Sequence, residues 1–115
     1  MNLPTNSADV EAAPLRVAAF YHFTRFDAPD ALRAPLLDLS NALGVKGTIL
    51  LAHEGFNGTI AGSETGVDAV VAHLRVLAGG ADFELKFSAA ATPPFLRMKV
   101  RIKREIVTLS APEAD

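Results

Sequence analysis

The sequence contains no cysteine and no tryptophan. The first absence excludes disulfides, thiolate metal ligands and a thiol nucleophile together, and leaves secretion without support. A large charge imbalance is also missing. With a formal net charge of −2 over 115 residues, the chain does not attract nucleic acid through its bulk field, so any site for a polyanion has to be local. No apolar run approaches the roughly 20 residues that span a bilayer. Residues 1–14, with Asp9 and Glu11, lack the basic start of a signal peptide. These absences predict a cytoplasmic protein without a membrane segment. There is no phosphate-binding glycine loop of Walker or Rossmann type and no Gly-x-Ser-x-Gly elbow.

What is present suits one domain around one core: half of the residues are hydrophobic. Residues 1–14 mix Asn, Thr, Ser, Asp, Ala and Pro without periodicity and are expected to be a disordered leader. Residues 15–23 set Val17, Ala19, Tyr21 and Phe23 against Arg16, Ala18, Phe20 and His22, the alternation of a strand. In residues 27–43, Leu32, Leu36, Leu39 and Leu43 recur at helical spacing, with Asp27 or Asp30 as cap and Gly44 as stop. Pro35 inside that run implies either a kink or a separate first turn over residues 30–33 with the long helix starting at Pro35. Ser63 caps a second helix whose stripe is Val67, Val70, Val71, Leu74 and Leu77, ended by Gly79-Gly80. Residues 82–88 turn Phe83, Leu85 and Phe87 inward and Glu84, Lys86 and Ser88 outward, and Pro93-Pro94 breaks the chain after them.

Between the helices, residues 46–62 form a hairpin with two candidate turns. Asn57-Gly58 is the stronger two-residue turn signal, but it wastes the apolar run. A turn on Glu54-Gly55 pairs His53 with Phe56, Ala52 with Asn57, Leu50 with Thr59 and Ile49 with Ile60, leaving Gly58 opposite Leu51. It places Ile49, Leu51, Phe56 and Ile60 on the buried side, and Thr48, Leu50, Ala52, Asn57, Thr59 and Ala61 on the other. The order strand, helix, strand, strand, helix, strand, with one apolar stripe per helix, predicts a ferredoxin-like α+β sandwich. It is a βαββαβ unit with an antiparallel sheet and both helices on one face. On the opposite, open face the phase places Arg16, Phe20, His22, Lys46, Thr48, Asn57, Thr59, Glu84 and Lys86.

Residues 95–109 suggest an extra C-terminal strand in which Arg97, Lys99, Arg101 and Lys103 alternate with Met98, Val100 and Ile102, and Arg104 follows. Five of the eleven basic residues lie here, so the positive charge of a mildly acidic chain is concentrated in one run. Alternate side chains on a strand project at about 6.6 Å intervals, close to the phosphate spacing of a nucleic-acid strand. The same row also suits a solvated strand whose lysines and arginines guard against edge pairing. Phe20, if exposed, could stack on a base or meet a neighbouring domain. His53 and Glu54 resemble an acid/base couple, yet hairpin tips collect polar residues simply because they face water. His22, His53 and His73 have no short ligand spacing, so no metal site is expected.

Three stretches are together similar to a known family: Lys-Gly-Thr-Ile-Leu-Leu-Ala from Lys46, Glu-Gly-Phe-Asn-Gly-Thr-Ile-Ala-Gly from Glu54, and Pro-Phe-Leu-Arg-Met-Lys-Val-Arg-Ile-Lys-Arg-Glu-Ile-Val-Thr-Leu from Pro94. They resemble the N-terminal domain of the rhodanese-like tRNA uridine hydroxylases, over residues 15–110. The resemblance implies an acylphosphatase-like domain followed by a rhodanese domain with an essential cysteine, and oxygen-dependent 5-hydroxylation of the wobble uridine of tRNA. Residues 111–115 are then the start of a linker to that absent domain. The resemblance leaves this portion without a catalytic residue, metal or cofactor. Phe56 departs from the smaller aliphatic residue the family pattern suggests.

On that footing, Lys46, Arg97, Lys99, Arg101, Lys103 and Arg104 are the expected RNA-binding residues, with tRNA as partner. Glu54, Gly55, Asn57, Gly58 and Thr59 form a fold-defining motif and a docking element for the rhodanese domain, an alternative that would make the module purely structural. The acylphosphatase likeness carries no hydrolase activity. The segment after the first strand, Tyr21-His22-Phe23-Thr24-Arg25-Phe26, lacks that family's phosphate loop.

Overall fold

The computed structural model describes residues 14–104. The expected leader, apart from Pro14, lies outside them, as do the linker at 111–115 and the motif residues beyond Arg104. The elements are β1 (Leu15–Phe23), a 3-10 turn (Pro29–Leu32), α1 (Arg33–Ala42), β2 (Lys46–Ala52), β3 (Gly55–Gly62), α2 (Glu64–Leu77), β4 (Glu84–Ala90) and β5 (Met98–Ile102). They form one sheet in the order β4-β1-β3-β2-β5. The first four strands are the antiparallel ferredoxin-like sheet the pattern predicts.

The extra strand pairs parallel to β2, which makes the sheet mixed rather than antiparallel. The cause is the path of the chain. β4 ends at Ala90 beside Leu15, and β5 begins at Met98 beside Gly47, on the opposite edge of the same sheet end. Residues 91–97 therefore cross four interstrand spacings, about 19 Å. So short a segment covers that distance only when largely extended, and Pro93-Pro94 favours such a conformation. Edge strand β5 is also tied to α1, because Arg33 Nε donates to the Val100 carbonyl at 2.6 Å.

Pro35 does not break α1. It is the third residue of the helix, in the first turn, where an amide has no intrahelical acceptor to lose. Of the two sequence alternatives the separate first turn is the nearer, with a 3-10 turn leading into a helix that starts at Arg33. Ser40, buried on α1, donates its hydroxyl to the Leu36 carbonyl at 2.9 Å. α2 follows its pattern closely. The Ser63 hydroxyl accepts from Gly66 N at 3.0 Å, and Val67, Val70, Val71 and Leu74 are buried against the sheet. Each such side chain contributes about 2 kcal/mol on burial, so packing rather than propensity holds the helix.

Two features differ from the sequence reading. In β1 the even residues, not the odd ones, face the helices: Ala18 and Phe20 belong to the core, and Arg16 reaches Glu64 of α2 at 2.7 Å. Arg16, Phe20 and His22 are therefore not on the open face. The cross-strand register decides this phase, setting Ala18 beside Ile60, Phe20 beside Gly58 and His22 beside Phe56. Arg16 is accommodated at the rim by its ion pair and by the Phe87 ring, 4.5 Å from its guanidinium carbon.

The hairpin turns at His53-Glu54, one residue earlier than expected, with Ala52 beside Gly55, Leu51 beside Phe56, Leu50 beside Asn57 and Ile49 beside Gly58. Each partner moves by two positions, so the assignment of faces survives. Gly55 is taken out of the turn because it belongs to the ladder, beside Phe23 of β1 as well as Ala52 of β2. Its φ of 143° disfavours a side chain, and a Cβ there would overlap the His22 carbonyl oxygen.

Gly55→Ala is accordingly expected to cost about 2–3 kcal/mol, from backbone strain and the close approach to β1. Gly79→Ala, at φ 74° with open space around it, should cost about 1 kcal/mol. Urea midpoints of the two variants measure the difference, and equal midpoints would contradict the close-approach explanation.

Candidate nucleic-acid interface

The register places the side chains on the face opposite the helices in rows that run across all five strands. The middle row is Glu84 of β4, Tyr21 of β1, Asn57 of β3, Leu50 of β2 and Arg101 of β5. The next row is Lys86, Ala19, Thr59, Thr48 and Lys99. A third brings Ser88, Val17, Ala61 and Lys46 level. The Arg97 carbonyl accepts from Gly47 N at 3.1 Å next to Lys46, and Lys103 N donates to the Leu51 carbonyl at 2.8 Å at the far end.

All six expected RNA-binding residues, Lys46, Arg97, Lys99, Arg101, Lys103 and Arg104, are exposed. Lys46, Lys99 and Arg101 share the sheet face away from the helices, and Arg97 and Lys103 extend the same alternation on either side of β5. Among the described residues no ion pair engages any of the six; the arginines that are paired are Arg16 and Arg75. On this face the adjacent strand offers Thr48 and Leu50, which are neutral. The charge of the row is therefore not cancelled locally.

The centre of this face is less open than the pattern suggests. Leu50, at 9% exposure, and Asn57, at 6%, are buried, as are Ala52 and Ala61. The exposed apolar surface lies instead on β1, where Tyr21 is 46% and Phe23 56% exposed and their rings meet edge to face at 6.0 Å. The sequence reading placed Phe20 in this role and missed Tyr21 and Phe23, because both phases of β1 carry apolar residues. The signal that could have separated them is Gly58: a large ring on β1 fits beside a residue with no side chain. An open cavity of about 420 Å³ adjoins the pair, lined by Tyr21, His22, Phe23, Asp82, Phe83 and Glu84.

The hairpin residues serve the domain's own packing. Thr24 N donates to the Glu54 carbonyl at 3.0 Å, Phe26 N donates to the His53 carbonyl at 2.9 Å, and His53 Nδ1 lies 3.0 Å from the Phe26 carbonyl oxygen. Nδ1 of the ring therefore carries the proton in that contact. Phosphate cradles are built from free backbone amides. Two of the amides after β1 are already bonded to the hairpin tip. A Cβ on Gly58 would overlap the Thr48 carbonyl oxygen, and Thr59 is part-buried beside Thr48. Phe56, the apparent departure in the motif, packs its ring against Phe20, His22, Phe26 and Phe83, with centroids 5.2–6.2 Å apart. Among the described residues no three His, Asp or Glu side chains converge as metal ligands would, and no helix is long and apolar enough to cross a membrane.

The model of the UPF0176 acylphosphatase-like domain matches residues 15–106. A protein of Gluconobacter oxydans described as tRNA uridine(34) hydroxylase is 56% identical over 102 residues, covering 89% of this chain and 33% of that protein. A protein of the same description from Caulobacter vibrioides is 56% identical over 103 residues, covering 90% and 33%. The chain thus spans about a third of the length of these curated relatives. Among solved structures it is similar to an acylphosphatase from Coxiella burnetii (TM-score 0.54, 10% identity, 76% of this chain and 93% of that one). It is also similar to BlrB, a BLUF protein in its dark state (TM-score 0.59, 20% identity, 88% and 81%). At these identities the structures speak for the fold alone.

Because the His53 ring is engaged with the Phe26 carbonyl, even though the tip adjoins the Lys103 end of the cationic row, His53→Ala is expected to lower stability by about 1 kcal/mol. It should leave RNA affinity within twofold of the parent. Thermal melting and a filter-binding titration check both halves, and a large loss of RNA affinity would make the tip part of the interface.

Proposed function

Because the chain belongs to the UPF0176 acylphosphatase-like domain family, we propose that it is the N-terminal, tRNA-binding portion of an enzyme that hydroxylates C5 of the wobble uridine of tRNA. The chemistry is carried by a rhodanese-like domain outside these residues, so this portion supplies neither a catalytic residue nor a cofactor. Relatives described as tRNA uridine(34) hydroxylases support the reaction. The observation that supports the binding role is the exposed row of Arg97, Lys99, Arg101 and Lys103, with Lys46 beside it and Arg104 after it, free of ion pairs with described residues.

Each cation of such a row replaces a condensed counterion on the phosphate backbone, so affinity falls as salt rises. The charge has a role on one edge of the sheet only, which suits a contact that holds a strand while reaction takes place elsewhere. Hairpin residues Glu54, Gly55, Asn57, Gly58 and Thr59 remain a proposed docking element for the rhodanese-like domain. Their engagement in the domain's own ladder makes the cationic row the better-supported contact surface.

The test is binding of a tRNA transcript by this chain across a salt series. About four phosphate contacts on a single strand give a log–log slope near −3. Combined Arg97→Glu, Lys99→Glu and Arg101→Glu replacement is expected to abolish most of that slope and to weaken binding at least about 100-fold. Unchanged affinity and slope would overturn the binding role.

A further inference from the structure

The row Glu84–Tyr21–Asn57–Leu50–Arg101 joins three kinds of surface that the cationic ladder alone does not use. At one end Arg101 is exposed and unpaired with any described residue. At the other, Tyr21 and Phe23 form the exposed aromatic pair, and beyond them stand the carboxylates of Asp82 and Glu84. The two ends are three strands apart, about 14 Å. Side chains on one face stand roughly perpendicular to the sheet, so a short run of nucleotides, rather than one, bridges that distance.

Resting on the tRNA-binding reading above, the geometry points to a base-stacking subsite for unpaired RNA on Tyr21, supported at its edge by Phe23. The phosphates of the same strand lie along Lys99, Arg101 and Lys103. At β4 the charge of Glu84 is offset by Lys86 on the same face, and Asp82 is paired with Arg75 at 3.9 Å, so the uncancelled charge of this face is the positive row at β5. Phosphate is drawn to the β5 side, where the cations have no ion pair with described residues, and the base points toward β1. Stacking on an exposed aromatic ring is available to every base, which is how sheet platforms take single strands without reading their sequence. The ladder supplies the salt-dependent part of binding, and the aromatic pair supplies a part that does not depend on salt.

Tyr21 is the single tyrosine in a chain without tryptophan, so intrinsic emission reports this one ring. The chain is titrated with a ten-residue oligouridylate, corrected for absorption by the RNA, and separately with inorganic polyphosphate of matched charge. Expected are quenching of Tyr21 by the oligouridylate, reversed by salt, and no quenching by polyphosphate although it binds. Tyr21→Leu and Phe23→Leu, both at exposed positions and checked for folding by circular dichroism, should weaken oligouridylate binding about tenfold and threefold with the salt slope unchanged. Binding that shows the salt slope but leaves Tyr21 emission unaltered, with both leucine variants at parent affinity, overturns the subsite and leaves the ladder standing. In that case the aromatic pair is a contact for another part of the polypeptide. No salt-dependent binding of either the oligouridylate or tRNA overturns both.

Discussion

Phe20 of β1 lies beside Gly58 of β3, and Ile49 of β2 lies on the other side of that glycine. The missing side chain lets two large apolar residues approach from neighbouring strands, and a Cβ at Gly58 would meet the β2 backbone. This contact sets the phase of the three central strands together. Once Phe20 faces the helices, Ala18 and the rim residues Arg16 and His22 must face them too, and Tyr21 and Phe23 must face away. Reversing the phase would bury the Tyr21 hydroxyl against α2 and release the Phe20 ring to water, a loss of several kcal/mol on both counts. The two faces of the domain, one packed and one available for contact, follow from it.

The second organising constraint is the crossing from β4 to β5. A parallel fifth strand is reached through an extended segment, in which two prolines suit the conformation, and its edge is covered in part by the Arg33 guanidinium. A sheet edge otherwise invites pairing with another chain, and alternating cations are one way to discourage it. The same cations, aligned with no acidic partner on β2, make the edge a place where a polyanion gains and an uncharged strand does not. The alternation divides the strand: Met98 and Val100 anchor it inward, and Lys99 and Arg101 are left outward.

Much of this was legible in the residues. The Ser63 cap, the stripe from Val67 to Leu74, the inward Phe83 and Leu85 (though not Phe87, which is exposed) and the alternation after Phe95 each carry a period that one element can show alone. Family resemblance was legible as well, because its motifs lie in ordered, closely spaced runs. The candidate site was only half visible. The cationic row could be read from alternation alone, whereas the aromatic pair could not, since β1 alternates apolar residues on both sides and its neighbours choose between them. The hairpin turn was misplaced by one residue for a related reason: Gly55 looked like a turn glycine, but it serves a close backbone approach to His22 and Phe23 of β1, which are distant in the chain.

By itself, then, the sequence determined which segments are helices and strands, where charge accumulates and which family the chain resembles, because those properties are written in local period and composition. Tertiary structure decided which face each strand shows, the parallel pairing of β5 and the placing of Tyr21 and Arg101 in one row. These depend on cross-strand register, in which the energy of a residue is fixed by partners distant in the chain.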